Sequence, residues 1–270
     1  MMKLSIFFDH LLRAAEQTGL PLAQVIDRAQ EEGLRYAECS LSELEQADAR
    51  RILRETGMGV SGVYTSFDFR GTAWRDGARH LLDQAAEMGA GCVMPLPGLM
   101  REGEEPSVIR RVMADGVAQV CELAKAYPLQ VVLEDFGSPR APFGPLEGLS
   151  WFLEQVPALG CALDSGNFLI HAQDALAAYE QLAPRVRHVH LKAWIDRPDY
   201  GDEVIPAADG FLCYPAPLGH GPVPNEAIVR ALIRDGYEGF CAIEHFSVRD
   251  QLSCLIESAR WVGGQGTANR

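Results

Sequence analysis

The stretch HVHLKAW, residues 188–194, sets His188, His190 and Lys192 at alternate positions with Val189 and Leu191 between them. That is the period of an extended strand, whose successive side chains point to opposite faces. Seven further runs of similar length flank it: LSIFF (4–8), LRYAECS (34–40), VSGVYTSF (60–67), GCVMPLP (91–97), LQVVLEDF (129–136), CALDSGN (161–167) and FCAIEHF (240–246). Between the runs, apolar residues recur at three-to-four spacing and predict helices over 21–32, 41–56, 73–88, 107–127, 172–182, 225–235 and 248–262. Gly33, Gly57, Gly89 and Gly236 follow four of these segments closely, as the left-handed position after a helix prefers glycine. Eight strand–helix units with nearly continuous apolar strands predict a parallel sheet covered on its outer face and closed into an α/β fold, a single-domain (β/α)8 TIM barrel. The barrel is expected over residues 1–262, with 263–270 a flexible tail. An open doubly wound sheet is the alternative, disfavoured because the first strand–helix junction, residues 7–13, has no glycine fingerprint for a dinucleotide.

Composition narrows the function. The chain has 270 residues, 47% of them hydrophobic and 23% charged, the profile of a globular protein. Its net charge of −13, from 24 basic and 37 acidic residues, repels a phosphate backbone and argues against a nucleic-acid partner. No apolar run reaches the roughly 18–20 residues that a membrane-spanning helix needs, and the first eight residues lack the pattern of a secretory signal. Seven cysteines form no CxxC pair and read as buried structural thiols. The expected location is cytoplasmic, with homo-oligomerisation left open. The stretch 195–224 is long for a connection in a compact domain and rich in proline and glycine. It is expected to overhang the active-site mouth as a substrate-covering lid, with a subunit contact or a plain surface loop as alternatives.

Polar residues inside apolar strands carry the chemistry, because an unpartnered buried charge costs several kcal/mol or shifts its pKa. Glu134 ends VVLE, Asp164 ends CALD, His190 lies within HVHLK and Glu244 ends CAIE. Each falls late in its strand, at the barrel end where such enzymes assemble their sites. If Val189 and Leu191 pack on the helices, His190 and Lys192 project toward the mouth, with His188 one layer deeper as a core histidine. By the same logic Val131 and Leu133 point outward and Glu134 inward. Three carboxylates and an imidazole make a mixed oxygen and nitrogen ligand set suited to one divalent ion, Mn²⁺ first, with Mg²⁺, Co²⁺ or Zn²⁺ as alternatives. Taken singly, each residue has a plainer reading: Glu134 as a solvated strand end, Asp164 as a helix cap, His190 as a core histidine, Glu244 as a partner of His245. Their equivalent places on successive strands favour the joint site. Glu38, at the end of the second strand, is a candidate for touching substrate or the ligating histidine. Trp194, His220, Tyr64 and Phe67 are candidates for lining the pocket. Arg101 with Glu102, Glu104 and Glu105 reads as a solvated charged loop.

With LEDF at 133–136, ALDSGN at 162–167, HVHLK at 188–192, LGHG at 218–221 and GYEGFCAIE at 236–244, the chain resembles the xylose isomerase-like TIM-barrel superfamily of sugar isomerases and epimerases. The resemblance implies a divalent metal held by Glu134, Asp164, His190 and Glu244. It also implies that the metal polarises a keto-sugar carbonyl while Glu134 and Glu244 remove and return a proton on opposite faces. Lys192 matches the family's HxK position and is expected to hydrogen-bond substrate oxygens. Asn167 stands where the family often has histidine, and Ala193 where it often has aspartate. The His190-to-Glu244 interval of 54 residues is closer to the dehydratases of the superfamily. The endonuclease IV branch shares HVHL, but its later DxH ligand pair is absent between 193 and 240.

The leading expectation is a metal-dependent isomerase or epimerase of a small keto sugar or derivative. A dehydratase of a cyclic keto-polyol, dehydroshikimate-like or keto-inositol-like, is the runner-up, and a non-catalytic metal- or sugar-binding barrel is the reading from another class. Enolisation and β-elimination both begin by removing a proton beside a polarised carbonyl, so the residues alone do not separate the first two.

Overall fold

The computed structural model describes residues 2–267. Along the chain run β1 (Lys3–Phe7), α1 (Phe8–Thr18), α2 (Leu22–Glu31), β2 (Tyr36–Ser40), α3 (Leu41–Leu44), α4 (Ala47–Thr56), β3 (Gly59–Ser66), α5 (Trp74–Glu87) and β4 (Cys92–Leu96). There follow α6 (Pro106–Ala124), β5 (Gln130–Glu134), α7 (Leu146–Gln155), β6 (Gly160–Asp164), α8 (Asn167–Ile170), α9 (Ala175–Leu182) and β7 (Val186–Ile195). The last elements are β8 (Ile205–Pro206), β9 (Leu212–Ala216), α10 (Asn225–Arg234), β10 (Phe240–Glu244) and α11 (Gln251–Thr267). Strands β1 to β7 pair in sequence order, all parallel, and β10 pairs in parallel with both β1 and β7. That second pairing closes the expected eight-strand barrel and removes the sheet edges.

Strand alternation sorts the side chains as the period of two requires. Val131 and Leu133 of β5, Cys161 and Leu163 of β6, and Val189 and Leu191 of β7 join the main apolar cluster under the helices. Val132 and Ala162 instead pack inside the barrel with Cys92 and Met94. Glu134, Asp164, His190 and Lys192 share the inward face of the same strands. The register places Asp164 beside His190 and Lys192 beside Glu244, so the polar residues converge at one level of the barrel. All seven cysteines are buried and unpaired, as structural thiols should be. Among the described residues, no helix is long and apolar enough to cross a membrane.

Several boundaries differ from the expectations, each for a local reason. The segment 41–56 is two helices, because Ser40 and Glu43 form a capping box on the short α3 and Gln46 begins α4 anew. Gly57 ends α4 with φ 67°, in the left-handed region that glycine reaches without strain. The strand expected over 161–167 stops at Asp164, whose Oδ1 accepts the N–H groups of Gly166 and Asn167 at 2.7 and 3.0 Å and turns the chain into α8. At the C-terminus α11 continues to Thr267 rather than yielding to a tail at 263; residues 268–270 lie outside the described residues.

The long segment after β7 is not a free lid. β9 pairs antiparallel with the end of β7, Ala193 opposite Ala216 and Ile195 opposite Tyr214, and β8 pairs with β9. Asp209 and Gly210 make the intervening turn, with the Asp209 Oδ1 accepting from the Phe211 N–H at 3.0 Å. Trp194, Ala207, Cys213, Val223 and Ile170 form a separate apolar cluster beneath it. The expected charged loop is also built in: Arg70 pairs with Glu104 at 2.6 Å and Arg101 with Asp68 at 2.6 Å, tying the connection after β3 to the one after β4.

The docking of α11 yields a pH prediction. The His245 N–H donates to His10 Nε2 at 2.9 Å, its Nδ1 accepts from Gln251 at 3.2 Å, and its Nε2 meets the Ser258 hydroxyl at 2.8 Å. Burial, with His10 nearby, pushes the imidazole down from 6.5 to about 3. Between those values the unfolded chain binds the proton and the folded chain does not, so this residue's contribution is intact above pH 6.5 and is lost as pH falls. Between pH 6.5 and 5, wild type should lose about 2 kcal/mol more than His245→Gln, measured by urea unfolding at both pH values. Equal losses would mean that His245 is protonated in the folded protein.

Candidate metal and substrate site

Asp164, at the end of β6, is fully buried. While its Oδ1 holds the turn, its Oδ2 lies 2.8 Å from the Lys192 ammonium. Burial opposes its charge, but Lys192 and His190 outweigh that and hold its pKa low. Lys192 also meets Glu244 Oε1 at 2.9 Å and donates to Asn167 Oδ1 at 3.2 Å. Burial would discharge this lysine, yet Asp164 and Glu244 keep its pKa above the usual range. On β5, Glu134 Oε1 lies 2.9 Å from His190 Nδ1, and burial raises its carboxyl against the pull of His190. Glu244 is raised to about 8, by burial first, with Lys192 opposing and Asp164 and Glu134 adding to the rise. Glu244 Oε2 reaches to 4.0 Å from His190 Nδ1.

Glu134, Asp164, His190 and Glu244 thus each offer a ligand atom, all within 4.8 Å of one another. Three carboxylates and an imidazole nitrogen converging from four strands fit a divalent cation by donor type and by charge. A cation would offset the burial that chiefly raises Glu134 and Glu244 and the carboxylate repulsion that adds to it. The residues therefore fit the metal that the motif reading expects, with the ion's identity left open.

The other candidates fall in different places. Asn167 belongs to the site: its Nδ2 donates to the Asp135 carbonyl at 2.9 Å and to Glu134 Oε1 at 3.4 Å, and its Oδ1 receives Lys192. Glu38 lies deep, 1% exposed, with its carboxylate against His188 and His190, so it meets the candidate ligand His190 rather than the open mouth. Trp194 is 1% exposed and donates its indole N–H to the Gly166 carbonyl at 3.1 Å; it packs in the apolar cluster under the hairpin, with the Lys192 ammonium 5.9 Å from its ring. His220 pairs with Glu257 of α11 at 2.8 Å and approaches the Tyr200 hydroxyl at 3.4 Å; the structure does not bring it to the carboxylates. Phe67 packs against Phe69 in the core.

Three contributors escaped the sequence reading. Phe7, the last residue of β1, sets its ring edge-on to His190 at 5.0 Å and 5.9 Å from Tyr64, making an aromatic wall. Asp135, next to Glu134, is fully buried and accepts the Asp164 N–H at 2.8 Å; burial, reinforced by Asp164, raises it far above the usual carboxyl range. An acid following a glutamate at the end of an apolar run is a visible signal, but β5 ends at Glu134, so strand alternation does not place it. Ser165 accepts the Lys192 N–H at 3.0 Å and donates to Asn225 Oδ1 at 2.7 Å, pinning β7 where Lys192 leaves it. Ser165→Ala would strand these buried groups and should cost about 1–3 kcal/mol. Urea unfolding checks it, and an unchanged midpoint would remove Ser165 from the support of the site.

The family model described as a xylose isomerase-like TIM barrel matches residues 12–263. The fructoselysine 3-epimerase of Escherichia coli O157:H7 is 25% identical over 173 residues, covering 60% of this chain and 55% of the relative. The chain thus spans about half the length of the curated relative it matches. Among solved structures, the probable 3-DHS dehydratase AsbF of Bacillus anthracis superposes with a TM-score of 0.74 at 18% identity, covering 97% of this chain and 99% of that one. The IOLI protein, solved with a bound zinc atom, gives a TM-score of 0.70 at 17% identity, covering 99% and 97%. These likenesses in structure establish a shared fold.

Proposed function

The chain belongs to the xylose isomerase-like TIM-barrel family, and from that premise we propose that it is a divalent-metal-dependent isomerase or epimerase of a small keto sugar or sugar derivative. The observation that carries the proposal is the convergence of Glu134, Asp164, His190 and Glu244 within 4.8 Å. Two of these carboxyls, Glu134 and Glu244, have their pKa values raised toward the working range of acid–base catalysts. A divalent cation bound there would polarise a substrate carbonyl and stabilise the negative charge that develops when the neighbouring carbon loses its proton. Glu134 and Glu244 serve as the proton-accepting and proton-returning groups. Lys192 and Asn167 hold substrate oxygens, each having a polar atom among the site carboxylates. Phe7 and Tyr64 wall the site with aromatic surface and limit water access. The curated epimerase relative supports the reading.

A second reading, dehydration of a cyclic keto-polyol, is favoured by the hairpin β8–β9 between His190 and Glu244 and by the structural likeness to a dehydratase. The metal-loaded protein, incubated in D₂O with keto sugars and with cyclic keto-polyols, separates them. Deuterium at the carbon beside the carbonyl, without loss of water, supports the isomerase reading. An ultraviolet-absorbing enone supports the dehydratase, and neither signal across both substrate classes counts against enolisation.

A further inference from the structure

We propose that Glu38 is a positioning residue for the cation site, holding His190 so that its Nδ1 faces the carboxylates of Glu134 and Glu244. This rests on the reading of that cluster as a cation site.

Glu38 enters from β2, while the four ligand candidates stand on β5, β6, β7 and β10. Its Oε2 lies 2.7 Å from His188 Nε2 and 3.1 Å from His190 Nε2, and its Oε1 lies 3.2 Å from His190 Nε2. Among the described residues, its ion pairs are with these two histidines, not with a lysine or arginine. A carboxylate this deep adds little to stability by itself, because desolvation offsets much of what its partners return. As an orienting group it has a clear effect. When His190 donates its Nε2–H to Glu38, the lone pair of the neutral ring resides on Nδ1, the nitrogen that faces Glu134 at 2.9 Å and Glu244 at 4.0 Å. A carboxylate behind a ligating imidazole fixes its tautomer and orientation and raises its strength as a donor.

The surroundings are shaped for this arrangement. The β2–β3 ladder shifts register between Ala37 and Glu38, so that Gly62 rather than Ser61 stands opposite Glu38. A Cβ on Gly62 would lie a tight 3.0 Å from Cys92 Sγ and in ordinary contact, at 3.6 Å, with Glu38 Cδ, so the Gly62 backbone packs directly beside the Glu38 carboxyl. His188 steadies Glu38 from below and stands edge-on to His190 at 5.1 Å. Phe7 also meets His190 edge-on, at 5.0 Å. These contacts pack against the imidazole that Glu38 and Glu134 hold by its two nitrogens.

The test uses Co²⁺ as probe on the full chain, with affinity read by competition against a chromophoric chelator and geometry read from the visible Co²⁺ absorption. Glu38→Gln keeps the side-chain volume and is expected to weaken Co²⁺ binding by about 10–100-fold and to alter the visible bands. His188→Gln, which keeps Glu38 but removes its second anchor, is expected to shift affinity and bands in the same direction by less. A purely structural role would lower the unfolding midpoint and leave both readouts unchanged. Folded Glu38→Gln with wild-type affinity and spectrum overturns the proposal; should that variant not fold, a wild-type result from His188→Gln overturns it instead. A wild type that takes up no Co²⁺ refutes the cation site itself, and this inference with it. Wild-type uptake with unperturbed variants refutes only the role of Glu38.

Discussion

Replacing Glu244 by glutamine is expected to lower the rate of solvent-deuterium exchange into substrate by about 10²–10⁴-fold, the range spanned by general acid–base catalysis. Glutamine preserves shape and retains an oxygen for the Lys192 ammonium, now 2.9 Å away, but it accepts no proton. Glu134→Gln should have an effect of similar size, since Glu134 shares the cluster and the raised pKa. The two variants also separate the roles. If each glutamate serves one face of the substrate, Glu134→Gln blocks exchange starting from one epimer and Glu244→Gln blocks it starting from the other. Mass spectrometry of recovered substrate reads both. Exchange within tenfold of wild type from both epimers in either variant would remove that residue from proton transfer.

The second large effect concerns Lys192. Its ammonium sits between Asp164 at 2.8 Å and Glu244 at 2.9 Å in a region where it is 7% exposed, so it neutralises carboxylates that a bound cation would also neutralise. In chelator-treated protein, Lys192→Met should cost about 3–5 kcal/mol, the range for breaking a buried ion pair from one side. With saturating Mn²⁺ the loss should at least halve, because the ion supplies the missing positive charge. Urea unfolding under both conditions measures it. Equal losses would show that the lysine and the cation do not share these carboxylates.

The sequence carries the barrel and most of the ligand cluster because both depend on local periodicity. The alternation of HVHLK assigns His190 and Lys192 to one face and Val189 and Leu191 to the other, and the structure keeps that division. The fate of Glu38 depends on a register shift between β2 and β3 and on histidines 150 and 152 positions away, neither of which shows in a local pattern. Asp135 is hidden for a related reason. Past the last paired residue of β5 the chain leaves the strand, so alternation no longer tells where the side chain goes. The hairpin at 205–216 was concealed by its prolines and glycines, although Asp209-Gly210 between two short apolar runs marks the turn. His220 lies near the motifs in sequence, but its partner Glu257 holds it on α11, whereas Trp194, held by Gly166, stays beside the Lys192 ammonium.

The most direct test of the central claim is metal content. Wild-type protein and Asp164→Asn are each loaded with Mn²⁺, desalted and assayed by elemental analysis, with Co²⁺ and Zn²⁺ loadings run in parallel. The four-donor site predicts about one ion per wild-type chain and a marked loss in the variant, which gives up one anionic ligand. Wild-type protein that retains none of the three metals, or a variant that retains as much as wild type, would contradict it.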